Sequence, residues 1–321
     1  MASSYSYILW LAQIQTDLYK YGGPILIGLG TISCTLSLMV FMRKNLRKNP
    51  CSIYLVAHNI TNLLLIYTSI LFSTLATGYD IDPSTYNLPF CRFRFYAMLL
   101  FDILSAWYLI LASIDRVLLT SSNALTRQRS TPRLACVCII IVTLFWLFFH
   151  MHALVLTGFL QIAPGRVICY FQYGMHTKLI SYYSAIIKGI LTPLPMIIFG
   201  LWTVRNVRRA ARINPISTVP TSGAAPIRNG LAGHSKDRQL LQMLLIDISI
   251  YIIFNIMIAV VLIKQEFGPK SITDPVEAQL QNLLLRIAGV SNYIPFCIEC
   301  YVKLLASKAF RQEVKRILMR Q

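Results

Sequence analysis

Four ionisable side chains lie inside long apolar stretches of this sequence: Asp102, Lys188, Asp247 and Glu299. A charge within a membrane costs free energy unless it is paired or faces water, so these residues are candidates for ligand contacts, ion paths or internal ion pairs. Asp102 and Lys188 could pair with each other, or both could contact a ligand. Glu299 and Lys303 are four residues apart and could pair on one helical face. Asp247 has no evident partner.

Arg116 stands at the end of the third apolar stretch, between Asp115 and Val117. Its guanidinium keeps its charge at physiological pH and must be paired or hydrated there. Asp115 is one candidate partner, and Asp237, ahead of the sixth apolar stretch, is another. Two interpretations stay open: a structural arginine that anchors a helix end, and an ion pair that forms and breaks between two states.

Residue patterns that would support catalysis are missing from the sequence. It contains no phosphate-binding glycine-rich loop and no His-Glu-x-x-His. His150 and His152 are two residues apart, which places them on different faces of a helix and does not suit a metal pair. We therefore expect a protein that is not an enzyme, with no catalytic residue, no metal and no cofactor.

The apolar stretches are long enough to cross a membrane. Of 321 residues 56% are hydrophobic and only 13% are charged, whereas soluble domains carry about 25% charged residues. A membrane-spanning helix needs roughly 20 apolar residues. Seven stretches qualify, approximately Gly23–Phe41, Cys51–Thr77, Phe90–Thr120, Leu134–Phe159, Leu179–Val204, Leu240–Ile263 and Val276–Leu305. The sequence predicts an all-α membrane protein, a seven-transmembrane helix bundle with a short amphipathic C-terminal helix.

The net charge of +18 is distributed unevenly along the chain. Four segments together hold 21 Lys and Arg residues and two acids: 41–50, 116–133, 205–238 and 303–321. Four others hold five Lys and Arg residues and six acids: 1–22, 78–90, 159–178 and 264–277. Basic loops stay in the cytoplasm. We therefore expect an extracellular N-terminus, a cytoplasmic C-terminus and contacts with membrane lipid, and no nucleic acid partner.

The same pattern divides the chain into regions. Residues 1–22 form the predicted extracellular N-terminus, and residues 23–305 form the seven-transmembrane domain. Within that domain, about 205–238 is a Pro, Ser, Thr and Gly-rich stretch that is typical of a flexible cytoplasmic loop. In residues 306–321, Phe310, Val314, Ile317 and Leu318 form one apolar stripe, which predicts an amphipathic helix at the inner membrane surface.

Only two of the eight cysteines lie clearly on the outer side of this topology. Cys91 is at the outer end of the third span, and Cys169 is in the loop after the fourth. Because that compartment is oxidising, we predict a disulfide between them. Aromatic residues surround Cys169 within Gly158–Lys178, which suits a hairpin lid over the bundle mouth.

These residues resemble the rhodopsin-like (class A) G-protein-coupled receptors over roughly residues 22–318. Asp115-Arg116-Val117 is similar to the Asp-Arg-Tyr triplet of that family, and Cys91 stands 25 residues before Arg116. Further similarities are Trp146 in the fourth span, Pro193 or Pro195 in the fifth, and Phe310-Arg311 at the start of the tail helix. The loop 43–50 resembles that of invertebrate FMRFamide-type neuropeptide receptors.

The resemblance implies an extracellular peptide or small-molecule ligand and a heterotrimeric G protein on the cytoplasmic face. It also implies that Asp115, Arg116, Val117 and Asp237 form the activation switch between the third and sixth spans. Candidate ligand-pocket residues are Met98, Asp102, Lys188, Tyr251, Asn255 and Arg286. Met98 occupies the level where amine receptors carry an Asp, and the absence of Lys between Ser271 and Tyr301 excludes a retinal linkage. A neuropeptide receptor is the leading hypothesis.

Two alternatives remain. One is a chemosensory receptor for small molecules, and the other is an ion channel or transporter with Asp102, Lys188 and Glu299 along its path.

The chain also departs from the family pattern. Asn62 replaces the sodium-binding Asp of the second span, and the sixth span has neither Trp nor Pro. The seventh span lacks Asn-Pro-x-x-Tyr, and counting back from the tail helix places Glu299 to Lys303 at that motif. We expect Asn62, Asn292, Glu299 and Lys303 to form the polar core of the bundle, and whether sodium binds there stays open.

Overall fold

The computed structural model describes residues 2–44, 46–163, 166–171, 179–180, 182–213, 228–267 and 275–319. Within them, seven helices are long and apolar enough to cross a membrane, as the sequence predicted. The spans are α1, Tyr5–Phe41; α2, Pro50–Gly78; α3, Leu88–Thr120; α4, Pro132–Leu156; α5, Ser184–Arg209; α6, Gln239–Val261; and α7, Pro275–Ala306.

The first helix begins much earlier than the sequence pattern indicated. Helix already starts at Ala2, runs to Asp17, continues as a π-helical turn at Leu18–Gly22, and becomes α-helical again over Gly23–Phe41. The prediction started the span at Gly23, after the charged residues Asp17 and Lys20. Both charges fit on the helix, since Asp17 accepts a 2.9 Å hydrogen bond from Gln13 and Lys20 is exposed.

Helix α3 is the central element of the bundle. The most apolar part of α3 is 72% buried, against 17% for α4 and for α5. Pro89 lies in its first turn, and the Asn87 side chain caps that turn by accepting from the Phe90 amide at 3.1 Å. Because α3 contacts neighbours on nearly every side, residues along it can serve sites at both ends.

Helix α4 ends sooner than predicted. It runs over Pro132–Phe149, turns at His150, and finishes with Met151–Leu156. The prediction that it continued to Phe159 is wrong, because strand β1, Thr157–Ala163, starts there. Strand-forming Thr157 and Phe159 pair in antiparallel register with strand β2, Arg166–Phe171, so that Phe159 lies opposite Cys169.

Strands β1 and β2 form the hairpin that the aromatic residues around Cys169 predicted, within the residues that the structure describes. The remainder of that predicted loop, residues 172–178, lies outside the described residues.

Helices α2 and α5, like α1, contain π-helical segments. Helix α2 consists of Pro50–Leu65, a π-helical turn at Ile66–Ile70 and Leu71–Gly78. Helix α5 is π-helical over Ser184–Leu191 and α-helical over Pro193–Ile213, and α6 belongs to a helix that covers Arg228–Phe267. The predicted loop 205–238 is therefore helical at both ends, and residues 214–227 between them lie outside the described part. Two short helical turns, Pro83–Thr85 and Ala124–Gln128, lie in connections.

The tail forms the predicted amphipathic helix, α8, over Lys308–Leu318. Ser307 caps it by accepting from the Phe310 amide at 3.3 Å. Phe310 is fully buried, and its ring centroid lies 6.3 Å from that of Phe41. Glu313 on α8 pairs with Arg43 at 2.9 Å. Phe310 and Val314 of the apolar stripe thus pack against the bundle.

Candidate functional site

A disulfide joins the hairpin to the central helix. Cys91, in the first turns of α3, is bonded to Cys169 of β2, with their Cα atoms 5.8 Å apart, which confirms the predicted pairing. Next to it, the Phe95 ring on α3 meets Phe171 edge-on at 5.0 Å. The hairpin is therefore fixed over one end of the bundle, the disulfide end. The opposite end, which carries Arg116 and most of the basic residues, is the basic end.

A cavity of about 1230 Å³ lies at the disulfide end. Its walls come from α1, α2, α3 and α7, and β2 contributes Val167 to Tyr170. Of the predicted pocket residues, Met98 and Arg286 line it. The cavity lies toward α1 and α2, and the ion pair of Asp102 with Lys188 between α3 and α5 is not part of its lining.

The other four predicted pocket residues lie outside this cavity. Asp102 on α3 and Lys188 on α5 form an ion pair, with side-chain exposures of 8% and 20%. Tyr251 and Asn255 on α6 are buried, and the Asn255 amide donates to the Tyr251 carbonyl at 3.1 Å. The Asp102–Lys188 pair joins α3 to α5, the Asn255–Tyr251 hydrogen bond lies within α6, and in this conformation none of the four residues lines the cavity.

The cavity contains an arginine that sequence reasoning missed. Arg94 donates to Asp82 at 3.3 Å, to Ser84 at 3.3 Å and to Ser73 at 3.4 Å. Its position three residues after Cys91 and four before Met98 placed it on the same helical face as both. That spacing was the available signal.

Arg286 lies on the α7 wall of the cavity. Tyr19 of α1 lines the same cavity. Two further residues on the same face of α7 are Gly289 and Tyr293, and the Tyr293 hydroxyl lies 2.6 Å from the Ser69 hydroxyl. The guanidinium of Arg286 and the phenol rings of Tyr19 and Tyr293 therefore line the same cavity.

A cluster of charged residues is buried in the middle of the bundle. Lys303 on α7 pairs with Asp247 on α6 at 2.8 Å, and both side chains are fully buried. The sequence indicated no partner for Asp247, and the structure places Lys303 there. Lys303 lies farther from Glu299, at 3.7 Å, so the predicted pairing along α7 is the weaker contact. The reason is that α6 presents a carboxylate to Lys303 across the helix interface.

The same cluster extends to α2 and α3. His58 Nε2 lies 3.0 Å from the Glu299 carboxylate, and its Nδ1 lies 2.9 Å from the Ser105 carbonyl oxygen. Asn62 accepts from the Ser105 hydroxyl at 2.5 Å. The polar core thus includes His58 and Ser105, which the sequence did not single out. Asn292 is half-buried and has no hydrogen bond to this cluster in the described structure.

Arg116 is buried at the basic end, with 1% of its surface exposed. One of its terminal nitrogens donates to Asp115 at 2.8 Å and to Asn49, at the start of α2, at 2.8 Å. Asp115 also accepts from Ser130 at 2.5 Å. Val117 is half-buried next to this contact. Asp237 lies on the α6 helix, but its side chain is outside the described residues.

A bundle of seven membrane-spanning helices, with a disulfide-anchored hairpin over a cavity at one end and a buried Arg–Asp contact at the other, has the architecture of a membrane receptor. A family described as "7 transmembrane receptor (rhodopsin family)" matches residues 34–315. The chain belongs to this family.

It is therefore a G-protein-coupled receptor and not an enzyme. It is a multi-pass protein of the plasma membrane, with an extracellular ligand and a heterotrimeric G protein as its partners. The family assignment sets aside the channel and transporter alternatives. No curated protein matches the sequence.

Proposed function

We propose that this receptor binds an extracellular neuropeptide at the disulfide end and activates its G protein through the basic end. The observation that carries the proposal is the cavity of about 1230 Å³ beneath the hairpin. Cavities for drug-sized ligands range from about 300 to 1000 Å³. A larger cavity that also contacts β2 suits a peptide better than the small odorant of the chemosensory alternative.

The orientation of the chain follows from two features. The disulfide end faces the extracellular side, because disulfides form and persist in an oxidising compartment. The basic end faces the cytoplasm, since Lys and Arg accumulate on that side of membrane proteins. The N-terminus is then extracellular, and α8 is cytoplasmic. Epitope tags on both termini of the intact receptor test this: only the N-terminal tag should bind antibody on unpermeabilised cells.

Arg116 is the proposed switch, together with Asp115 and Val117. In the present conformation Arg116 is held by Asp115 and by Asn49, so its guanidinium is unavailable to a partner. Activation would release it, and a two-state contact of this kind is what ligand binding at the other end can bias. Asp237 is a further acidic residue of the proposed switch, since it precedes α6 in sequence.

The G-protein surface also includes a groove of about 620 Å³ between α5 and α6. Val204, Val207 and Leu241 supply its apolar lining, and Arg208 supplies a charge. An amphipathic helix of a partner protein could dock in such a groove through its apolar face.

The experiment for this function uses cells that express the receptor, a neuropeptide library and a second-messenger readout. A peptide that activates the wild type should fail to activate Arg116→Ala while binding it with similar affinity. The matched control is Arg129→Ala, an exposed arginine at the same end, which should signal normally. Normal signalling by Arg116→Ala would contradict the assigned switch, and a library without any active peptide would contradict the ligand class.

A further inference from the structure

Arg286 is a permanent positive charge in the cavity that no described carboxylate neutralises. Its side chain is exposed within the α7 wall. The other cavity arginine, Arg94, is neutralised by Asp82 and is held by two serine hydroxyls. Because a guanidinium keeps its proton, Arg286 needs either water or an anion from outside the chain.

The remaining charges of the cavity do not cancel Arg286. Five charged side chains line it: Lys20, Asp80, Asp82, Arg94 and Arg286. After Arg94 and Asp82 are paired, two cations and one acid are left. Lys20 and Asp80 are both exposed, so solvent screens them. The cavity is therefore net positive, and Arg286 is the charge on its α7 wall that no described carboxylate pairs with.

The surroundings of Arg286 indicate the shape of the group that would bind there. Gly289 lies one turn along α7, and a Cβ atom added at that position would meet no atom within 4 Å. Tyr293 lies one turn further, and Tyr19 of α1 lines the same cavity. The planar guanidinium of Arg286 thus lies next to the open space at Gly289, and the phenol rings of Tyr19 and Tyr293 line the same cavity. Guanidinium groups bind carboxylates through two parallel hydrogen bonds.

We propose that Arg286 binds a free carboxylate of the ligand and that the space at Gly289 accommodates an aromatic side chain next to that carboxylate. The ligand would then be a peptide that ends in an aromatic residue with an unmodified C-terminus. This inference rests on the proposed peptide function. A peptide with an amidated C-terminus would leave Arg286 without a counter-charge.

N-acetyl-L-phenylalanine and N-acetyl-L-phenylalaninamide are suitable probes, because they differ only in the carboxylate. Each is added to the full receptor purified in detergent, and thermal unfolding is followed with a thiol-reactive dye that reports the buried free cysteines. A ligand that binds only the folded state raises the melting temperature. The acid should raise it by about 2 °C or more near saturation, and the amide should not.

Two variants test the proposed contacts separately. Arg286→Gln removes the charge, and Gly289→Leu places a side chain in the open space, where its Cβ atom meets no atom within 4 Å. Both should melt near the wild-type temperature without the probe, since both positions face the cavity, and both should lose the shift caused by the acid. Arg205→Gln, an exposed arginine at the basic end, is the matched control and should keep the shift.

Three results would overturn the proposal: equal shifts with acid and amide, a shift retained in Arg286→Gln, or no shift with the acid up to its solubility limit.

A second arm separates this inference from the proposed function. Peptides that activate the receptor are compared as free acids and as amides in the second-messenger assay. If both forms activate equally, the carboxylate site fails while the peptide function stands. If the acid probe binds through Arg286 but no peptide activates, the carboxylate site stands while the peptide function fails.

Discussion

The buried ion pair between Asp247 and Lys303 makes a quantitative prediction about stability. Both side chains are fully buried, and Lys303 Nζ lies 2.8 Å from the Asp247 carboxylate. Replacing Lys303 with Met leaves Asp247 uncompensated in the bundle interior. Removal of one partner from a buried pair costs about 3–5 kcal/mol. At about 2 °C per kcal/mol for a chain of this size, the melting temperature should fall by roughly 6–10 °C.

A double variant isolates the pair itself. Asp247→Leu together with Lys303→Met removes both charges and leaves Glu299 next to His58, so the remaining cluster keeps its contact. Replacing a buried pair by apolar side chains is commonly close to neutral. The double variant should therefore melt within a few degrees of the wild type, although each single variant is strongly destabilised.

The assay is the thermal unfolding of the purified receptor in detergent, followed with a dye that reacts with thiols. Four free cysteines are buried, Cys34, Cys51, Cys297 and Cys300, so unfolding exposes them. Asp80→Asn is the control, because this exposed acid lies outside the cluster and should change stability by less than about 0.5 kcal/mol. If the loss of melting temperature in the double variant equals the sum of the losses in the two single variants, Asp247 and Lys303 are not coupled. That result would refute the reasoning.

Two further perturbations have clear expected outcomes. Cys91→Ser and Cys169→Ser should each destabilise the receptor by about 2–5 kcal/mol and reduce its amount at the cell surface, measured by surface labelling; normal surface levels in both variants would speak against a structural disulfide. Phe310→Ala should cost about 3–5 kcal/mol, because this ring is fully buried between α8 and the bundle. Leu305→Ala, whose side chain is 79% exposed, is its control in the same melting assay, and an equal effect of both changes would contradict the packing of α8.

The spans and the disulfide could be predicted because each depends on a property that is visible along the chain. A run of about 20 apolar residues is long enough to cross the bilayer whatever its neighbours are. Charge asymmetry then separates the two ends, and only Cys91 and Cys169 stand on one side. Asp102 and Lys188 pair with each other in the structure. The sequence left this pairing open beside the alternative that both residues contact a ligand.

The parts that could not be predicted depend on which helix faces meet. Nothing in the spacing around Asp247 indicates that α7 presents Lys303 to it, because the two residues are far apart in sequence. His58 in an apolar stretch is indistinguishable from an ordinary core histidine until Glu299 is placed beside it. The cavity is likewise a property of the assembled walls, so Met98 and Arg286 line it while Tyr251 and Asn255 lie elsewhere.

Helix α3 connects the two ends of this receptor without interruption. Helix α3 has 33 residues, which corresponds to a length of about 50 Å at 1.5 Å per residue. It carries Cys91 near its first turn and Arg116 near its last, and its only proline is in the first turn. A displacement or rotation of the hairpin would therefore move α3 as one unit, including the end that carries Arg116. No proline inside the helix provides a hinge between the two ends.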